Sequence, residues 1–347
     1  MCRKFLLLTV LVLLSSLSVS AQATDLFPFS KSGQTGYVNQ SGKVIIKPQF
    51  DEGWGFSEGL APVRVGDSWG YIDATGRLVI KPQFFQAGEF SEGLASVGVL
   101  FESGPNKHDQ VGNYGFIDNS GKLVIKPAYS VAFAFADGLA RVLTDDGKHA
   151  YIDHTGKIAF VRPGPDSENF ANGLALFSTH GNMPDSKWGF IDKNGKTAIA
   201  AEYDGGEGFS EGLACVYQKH QAGFIDSSGN VKVPFAFEYC RSFSQGRAAI
   251  SLNGKWGYVD QSGTLVVKPQ FDEAERFSDD VALVRQGDKF GVINRDGLMI
   301  LAPQFTQISG FSGGLATVNL GDDFVVCGSF SKWGYINKQG TFVWKSE

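Results

Sequence analysis

The chain has 347 residues with 31 basic and 36 acidic side chains, a formal net charge of −5. This mild acidity argues against nucleic acid or an anionic lipid surface as the partner. Three cysteines follow the N-terminal region, namely Cys215, Cys240 and Cys327, so one disulfide is the most they can form. The chain is therefore no disulfide scaffold, and its sequence leaves open whether any two of them pair.

The N-terminus has the pattern of a secretory signal peptide. Arg3 and Lys4 precede an apolar run over residues 5–14, and small residues follow from Ala21. We predict a signal peptide over residues 1–21. The apolar run is too short for a membrane span, and no later stretch is apolar enough. Its removal takes the net charge from −5 to −7, and we expect an exported, soluble protein in the periplasm, at the cell surface or in the medium.

One phrase recurs nine times across residues 22–347. In its second copy a Trp-Gly dipeptide at Trp69-Gly70 is followed by Asp73 and then by Gly76. Every copy keeps an Asx residue between two glycine positions, although Ala150 replaces the first glycine of the fourth copy. A fixed period of this kind indicates a repeat architecture in which each copy is one structural unit. The nine predicted units span about 25–50, 60–84, 94–129, 139–163, 174–203, 213–237, 247–271, 281–305 and 315–347.

Each unit predicts an antiparallel meander of three strands, named A, B and C in chain order. In the second unit these are Leu60–Val65, Trp69–Asp73 and Arg77–Lys81, which are rich in β-branched and aromatic residues. Asp73 and Gly76 predict a tight B–C hairpin, in which the carboxylate accepts from a backbone N–H two residues on and the glycine takes the left-handed position. The Lys-Pro dipeptide is expected to end strand C, because proline removes a ladder donor.

The connector from strand C to the next strand A contains one phenylalanine in all eight cases, which we interpret as a hydrophobic plug. These residues are Phe56, Phe90, Phe135, Phe170, Phe209, Phe243, Phe277 and Phe311. Strands B and C carry apolar residues on both faces, which predicts sheets stacked face to face. Propellers usually close with about 4–8 blades, so nine units favour an open superhelical, solenoid-like array about 90 Å long at roughly 10 Å per sheet. The alternative is a closed β-propeller.

The phrase resembles the WG-repeat (KWG-repeat) family of bacterial proteins. The Trp-Gly dipeptide stands at Trp69-Gly70, Trp188-Gly189, Trp256-Gly257 and Trp333-Gly334. The connector sequence Phe-Ser-Glu-Gly-Leu-Ala, as at Phe90, is also similar to the family's. The resemblance implies an all-β repeat fold, and it implies no catalytic residue and no cofactor.

The repeated side chains are predicted to be structural. The tryptophans at Trp69, Trp188, Trp256 and Trp333 could stack sugars or cations, but large aromatics on regular strands mostly pack in the core. A single carboxylate such as Asp73 lacks the convergent oxygens that calcium needs. The five histidines show no ligand spacing, and catalytic motifs are absent from the sequence. We therefore predict neither an enzyme nor a metal site.

Three segments interrupt the repeat, each between strands A and B: Leu100–Asn113, Leu176–Lys187 and Asn319–Lys332. Insertions at one hairpin place all three on one edge of the array, where repeat proteins often bind their partners. The alternative is neutral drift in exposed loops. The candidate binding residues of this edge are Phe101, His108, His180, Met183, Phe324, Cys327 and Phe330.

These patterns predict an exported, non-catalytic repeat protein that provides an interaction surface for another protein. The alternative is a module that binds carbohydrate or the bacterial cell envelope through exposed aromatics such as Trp54. Burial of Trp54 would weaken that alternative. The sequence does not identify the protein or glycan partner.

Overall fold

The structure, a computed structural model, describes residues 25–102, 110–162, 168–180, 183, 185–320 and 332–346. These ranges contain β-strands and turns and no helix. Accordingly, no helix suited to crossing a membrane occurs in them. The predicted signal peptide over residues 1–21 lies outside the described residues.

The strands form nine antiparallel units in chain order. Units 1 to 3 contain β1 (Leu26–Lys31), β2 (Gln34–Asn39), β3 (Val44–Phe50), β4 (Glu52–Gly53), β5 (Leu60–Val65), β6 (Ser68–Asp73), β7 (Leu78–Phe84), β8 (Gln86–Ala87), β9 (Leu94–Glu102), β10 (Gln110–Asp118) and β11 (Leu123–Ala136). Units 4 to 6 contain β12 (Leu139–Thr144), β13 (His149–Ile152), β14 (Ile158–Arg162), β15 (Leu174–Ser178), β16 (Trp188–Asp192), β17 (Thr197–Tyr203), β18 (Gly205–Gly206), β19 (Leu213–Gln218), β20 (Gln221–Asp226) and β21 (Val231–Phe237). Units 7 to 9 contain β22 (Tyr239–Cys240), β23 (Ala248–Leu252), β24 (Lys255–Val259), β25 (Leu265–Phe271), β26 (Glu273–Ala274), β27 (Val281–Gln286), β28 (Lys289–Asn294), β29 (Met299–Phe305), β30 (Leu315–Asn319), β31 (Trp333–Asn337) and β32 (Phe342–Lys345).

The predicted all-β array of repeated A-B-C meanders is confirmed, with one addition. The connector contributes a short strand that pairs with strand A of the following unit, as β4 pairs with β5. Several sheets therefore have four strands instead of the three that the sequence predicted. The long strand β11 serves both unit 3 and unit 4, so these two units share one seven-stranded sheet.

Strand C does not end at its Lys-Pro dipeptide, and that prediction is wrong. In unit 2 the strand continues to Phe84, while the register changes from Tyr71↔Ile80 to Trp69↔Phe84. An advance of two residues along β6 thus lies opposite an advance of four residues along β7. The extra residues of β7 form a bulge that contains Pro82. A proline in a bulge removes no ladder hydrogen bond, so the strand can pass through it.

The same bulge explains the glycine of the Trp-Gly dipeptide. A Cβ on Gly70 would lie 2.5 Å from the carbonyl oxygen of Ile80 and 2.7 Å from the nitrogen of Pro82. In unit 4 the register runs without interruption through Ala150↔Val161, so no bulge presses on that position. Alanine fits there because strand C has no bulge opposite it. In unit 2 the glycine is therefore a requirement of the bulge on the neighbouring strand.

The predicted B–C hairpin is confirmed. Oδ1 of Asp73 accepts hydrogen bonds from the backbone N–H groups of Thr75 at 3.0 Å and Arg77 at 3.2 Å. Gly76 has φ +84° and donates its N–H to the Asp73 carbonyl at 2.9 Å. The hydrogen bond from the Thr75 hydroxyl is the largest of the contacts that lower the pKa of Asp73 to about 2. The carboxylate therefore holds the turn in its ionised form.

The predicted plug is also confirmed. Phe90 is 2% exposed, and its ring packs edge-on against Tyr71 with centroids 5.0 Å apart. The Tyr71 hydroxyl donates to the Gly88 carbonyl at 2.8 Å, which fixes the connector on the preceding sheet. Among the other seven plugs only Phe56 is partly exposed. Each plug thus joins one sheet to the next.

Successive connectors are hydrogen-bonded to each other. Ser57 donates its hydroxyl to the Phe90 carbonyl at 2.6 Å, and the Glu58 carboxylate accepts from the Gly93 N–H at 2.9 Å. The serine contact recurs for Ser91–Phe135, Ser210–Phe243, Ser244–Phe277 and Ser278–Phe311. A series of connector contacts therefore runs along the whole array.

The two ends of the array are in contact. Phe29 packs against Trp344 with ring centroids 5.1 Å apart, and the Tyr335 hydroxyl donates to the Pro28 carbonyl at 2.7 Å across 307 positions of the sequence. Such contacts belong to the closed arrangement, the alternative to an open array. Among the described strands no ladder joins unit 1 to unit 9. We call this contact between β1–β3 and β30–β32 the closure seam.

A disulfide joins Cys215 of β19 to Cys240 of β22, with Cα atoms 6.0 Å apart. It links the sheets of units 6 and 7, and Cys240 lies in the connector between them. Both cysteines are buried, at 0% and 3% exposure. Cys327 lies outside the described residues.

Candidate binding surfaces

The first insertion lengthens a hairpin. Strands β9 and β10 have nine residues each and pair from Asp118↔Leu94 to Gln110↔Glu102. Strand A of the other units has five or six residues. The predicted Phe101 lies on β9, opposite Val111. The predicted His108 lies outside the described residues.

The base of this hairpin is anchored by an aromatic side chain. The ring of Phe85 lies so close to the backbone that a Cβ on either Gly98 or Gly112 would approach it to 2.5 Å. Tyr114 packs edge-on against Phe85 at 5.6 Å and donates its hydroxyl to Gln86 at 2.7 Å. Burial raises the pKa of Tyr114, which keeps this hydroxyl protonated as a donor. The anchored hairpin then presents Leu100, which is 46% exposed.

The second insertion is a small loop in unit 5. Thr179 closes it by donating its N–H to the Lys187 carbonyl at 2.9 Å and accepting from the Lys187 N–H at 3.0 Å. The predicted His180 and Met183 are exposed, Met183 at 63%. Leu176, where we placed the start of the insertion, is only 1% exposed and belongs to the core. The predicted Phe324, Cys327 and Phe330 of the third insertion lie outside the described residues.

The repeated tryptophans pack mainly into the array. Trp69 is 7% exposed, and Trp188, Trp256 and Trp333 are half-buried. Trp54 is different, since it is 42% exposed and makes an edge-on contact with Trp69 at 5.5 Å. The observation that would have weakened carbohydrate binding, burial of Trp54, is not found.

One charged cavity was missed by the sequence analysis. It has a volume of about 630 Å³ and lies between the connectors of units 4 to 8. Glu207 accepts hydrogen bonds there from the N–H and the hydroxyl of Ser242, at 2.7 and 2.5 Å. Desolvation by the surrounding protein raises the pKa of Glu168, and the nearby charge of Glu207 raises it further. The side chain of Glu168 is nevertheless exposed to the open cavity. The charged residues that line the cavity are Arg141, Glu168, Glu207 and Arg276.

Two of these charges, Glu168 and Glu207, were missed because they occupy a variable position of the connector. The residue two before the connector phenylalanine is Glu168, Glu207, Arg241 and Glu275 in four consecutive connectors. Nothing within one repeat distinguishes them, whereas the fold brings successive connectors side by side. Arg241 contacts Glu275 at 3.1 Å, an ion pair with accessible side chains that contributes at most about 1 kcal/mol. A search of the described residues finds no group of His, Cys, Asp and Glu arranged to hold a metal ion.

The family follows from a direct comparison. The profile described as "WG containing repeat" matches residues 36–68, 69–99, 114–148, 188–219, 223–256, 256–290 and 290–322. The matches cover more than half of the chain. This chain belongs to the WG-repeat family. The segment from His149 to Lys187, which includes strand C of unit 4 and the second insertion, is not matched.

One solved structure has a similar fold. A crystal structure of a protein described as the eukaryotic initiation factor aligns with a TM-score of 0.63 at 12% identity, over 93% of this chain and 96% of that one. BamB from Moraxella catarrhalis aligns with a TM-score of 0.38 at 12% identity, over 86% and 94%. The first likeness concerns the fold alone. Among curated proteins, none matches the sequence.

Proposed function

We propose that this WG-repeat chain is an exported, non-catalytic binding protein and that its β9–β10 hairpin contacts a partner protein. The observation that carries the proposal is the length and anchoring of this hairpin. Its strands extend beyond those of the other units, and Phe85 fixes its base. A preorganised element loses little conformational entropy on binding. Exposed apolar side chains such as Leu100 supply the contact area that protein partners bury.

Export is supported by the Cys215–Cys240 disulfide. Disulfides form and persist in the periplasm and outside the cell, whereas reducing systems keep cytosolic thiols free. Thiol alkylation of the protein in intact cells, followed by mass spectrometry, tests this. We expect Cys215 and Cys240 to be protected and the N-terminus to lie near Ala21. Full alkylation of both cysteines together with an uncleaved N-terminus would contradict export.

The partner is sought by affinity capture from a cell-envelope extract with the purified full chain. Leu100→Asp places a charge on the hairpin and should remove the specifically captured protein. Leu78→Asp is the matched control, since Leu78 is 40% exposed on the regular strand β7. A chain that lacks residues 101–110 should behave like Leu100→Asp. Capture that survives both hairpin changes contradicts the proposal.

A second candidate function is the binding of an envelope carbohydrate at Trp54. Its support is the exposure of this side chain beside Trp69, since flat aromatic surfaces stack on sugar rings. A glycan array with the full chain tests it, together with Trp54→Ala. Tyr239→Ala is the control, because Tyr239 is exposed at 57% and also neighbours a tryptophan. Glycan signals unchanged by Trp54→Ala would refute this candidate.

A further inference from the structure

Strand C forms an edge of the sheet in every unit except unit 3, where β11 is paired on both sides. Proteins protect exposed edges against further strands with bulges, prolines and lysines. In units 1, 2, 5, 6, 7 and 8 the edge strand contains the bulge described for unit 2. Five of these bulges contain a proline: Pro48, Pro82, Pro234, Pro269 and Pro303. These six edges are therefore poor partners for another strand.

Strand β14 of unit 4 lacks this protection. Its one change of register lies next to the B–C turn, as in unit 2, and no bulge follows along Phe160–Arg162. The strand contains no proline and no lysine, and Val161 stands where unit 2 has Lys81. Ile158 and Val161 are exposed at 45% and 46%. The edge of β14 is thus regular, apolar and accessible, which are the properties of an edge that pairs with another strand.

Unit 9 also lacks the bulge, but its edge strand belongs to the closure seam. This strand, β32, has only four residues, of which the first three are half-buried. Trp344 of β32 packs against Phe29 of unit 1 with ring centroids 5.1 Å apart. Among the described edge strands, β14 is therefore the one that is both free of the bulge and away from the ends of the array.

Neighbouring side chains hold β14 in position. Phe160 stacks on Tyr151 of β13 with ring centroids 4.8 Å apart. Arg162 is 8% exposed and donates a hydrogen bond to the Ser178 carbonyl of unit 5 at 3.0 Å. Its guanidinium lies 4.4 Å from the ring centroid of Phe177. Because the strand is already fixed at both residues, it loses little conformational entropy when a partner strand pairs with it.

The charge around this edge differs from that of the whole chain. Residues 154–162 contain His154, Lys157 and Arg162 and no acidic residue, although the chain has a net charge of −5. The preceding Asp153 accepts hydrogen bonds from N–H groups of its own turn. Lys157 is exposed where the strand begins. Opposite charges across a ladder stabilise the pair, so the edge favours an apolar segment whose acidic end meets Lys157.

Two other occupants suit this edge less well. Two copies of β14 paired antiparallel about Phe160 would bring Lys157 of each copy next to Arg162 of the other, and like charges at such positions are destabilising. The chain's own next residues are Pro163-Gly164-Pro165, and prolines have no N–H to donate to a ladder. A segment of another protein meets neither obstacle.

We propose that β14 binds an extended, apolar segment of a partner protein that ends in acidic residues and adds an eighth strand to the seven-stranded sheet. Main-chain hydrogen bonds along Ile158–Arg162 provide the affinity, while Val161 and Lys157 select the side chains of the partner. This edge is a different surface from the β9–β10 hairpin, and the inference does not rest on the proposal made for that hairpin.

The test uses the full chain and a fluorescent peptide, Ser-Thr-Val-Thr-Val-Thr-Glu-Glu. Fluorescence anisotropy should show saturable binding, and hydrogen exchange followed by mass spectrometry should show new protection of the amides of residues 157–162. A strand presents alternate N–H groups to one neighbour. Of two peptides, one N-methylated at its threonines and one at its valines, one should therefore lose binding. Replacement of both peptide glutamates by lysine should also weaken binding.

Substitutions on the edge strand complete the test. Val161→Asp should weaken peptide binding roughly two- to fivefold, whereas Val161→Thr keeps a β-branched side chain and should bind like the unchanged chain. Leu265→Asp is the matched control, since Leu265 is 45% exposed on the bulged edge strand β25 and the change of charge is the same. Thermal melting of each variant checks that it is folded.

Three results would overturn the proposal. The first is the absence of saturable binding or of new protection at residues 157–162. The second is an equal loss of binding in Val161→Asp and Leu265→Asp, or equal binding of the two N-methylated peptides. The third is a concentration-dependent dimer in sedimentation velocity that Val161→Asp abolishes, which would assign the edge to a second copy of the chain.

Discussion

The closure seam and the seam between units 2 and 3 join the same kind of sheet in different ways. At the interior seam the connector supplies Phe90 as a plug, its carbonyls as acceptors and its backbone as a covalent link. At the closure seam unit 9 contacts unit 1 through side chains such as Phe27, Phe29 and Trp344. A repeat interface therefore depends on the segment between repeats, and at the closure seam aromatic side chains of units 1 and 9 take its place.

The largest expected effect is the difference in stability lost when Phe90 at the interior seam or Phe27 at the closure seam is replaced by alanine. Phe90→Ala should lower the free energy of unfolding by about 3–5 kcal/mol, since it removes a fully packed ring. Phe27→Ala should lower it by about 1–2 kcal/mol, because Phe27 is only half-buried. Urea unfolding followed by tryptophan fluorescence measures both. Equal losses would show that the closure seam is packed like an interior seam.

The disulfide strengthens one interior seam further. Its cysteines are 25 positions apart, and a closed loop of that size stabilises by about 3 kcal/mol. We expect a reducing agent to lower the melting temperature of the unchanged chain. The double variant Cys215→Ala with Cys240→Ala is the control, and its melting temperature should not respond to the reductant. A response of the same size in the double variant would assign the effect to another cysteine.

Each of the two seams contains one hydrogen bond donated by a tyrosine hydroxyl, so the seams can be compared through these bonds. Tyr335 donates to Pro28 at the closure seam, and Tyr71 donates to Gly88 at an interior seam. Tyr335→Phe and Tyr71→Phe should each cost about 1 kcal/mol in unfolding free energy, because each leaves a carbonyl without its donor. If Tyr335→Phe costs nothing while Tyr71→Phe has its expected effect, the ends do not meet in solution.

Low pH should destabilise the B–C turns of interior units such as 2 and 6 more than those of units 1, 8 and 9, which lie at or near the closure seam. Asp73 and Asp226, in units 2 and 6, have pKa values lowered to about 2, chiefly by hydrogen bonds from Thr75 and from the Asn230 backbone respectively. The corresponding residues of units 1, 8 and 9 are asparagines, which do not titrate. The folded-state pKa is lowered, so the stabilisation is complete above the unfolded pKa of about 4 and is lost as the pH falls towards 2.

The substitution Asp73→Asn should therefore reduce the loss of stability between pH 5 and pH 3, because asparagine keeps the acceptor without the titration. Chemical unfolding at several pH values measures this small effect. The variant Asn294→Asp is the converse control and should add acid sensitivity to unit 8. Unchanged pH dependence in both variants would contradict the role assigned to these turns.

Local features were predictable from the sequence because they depend on neighbours in the chain. The turn at Asp73 and Gly76 and the plug at Phe90 follow from residue types at fixed spacing. The continuation of strand C through Pro82 was not predictable in this way, since it depends on Gly70 across the sheet. Strand propensity alone does not indicate where a bulge lies.

The binding surfaces were less predictable. The insertion around Phe101 is visible in the sequence as a longer spacing between two copies of the repeat. The residue that anchors its hairpin, Phe85, lies in an ordinary connector. Phe27 stands where the eight other units have alanine, as at Ala95, and this difference is also visible in the sequence. Its meaning depends on Tyr335, 308 positions later, and is apparent only when the two ends are in contact.

Small-angle X-ray scattering of the purified chain tests the central claim, closure of the nine units, most directly. A closed array should give the scattering of a compact particle, with a maximum dimension well below the roughly 90 Å that nine sheets stacked at about 10 Å would reach. Phe27→Ala with Tyr335→Ala should extend the particle if the seam is what holds the ends together. A rod-like profile near 90 Å for the unchanged chain would contradict closure.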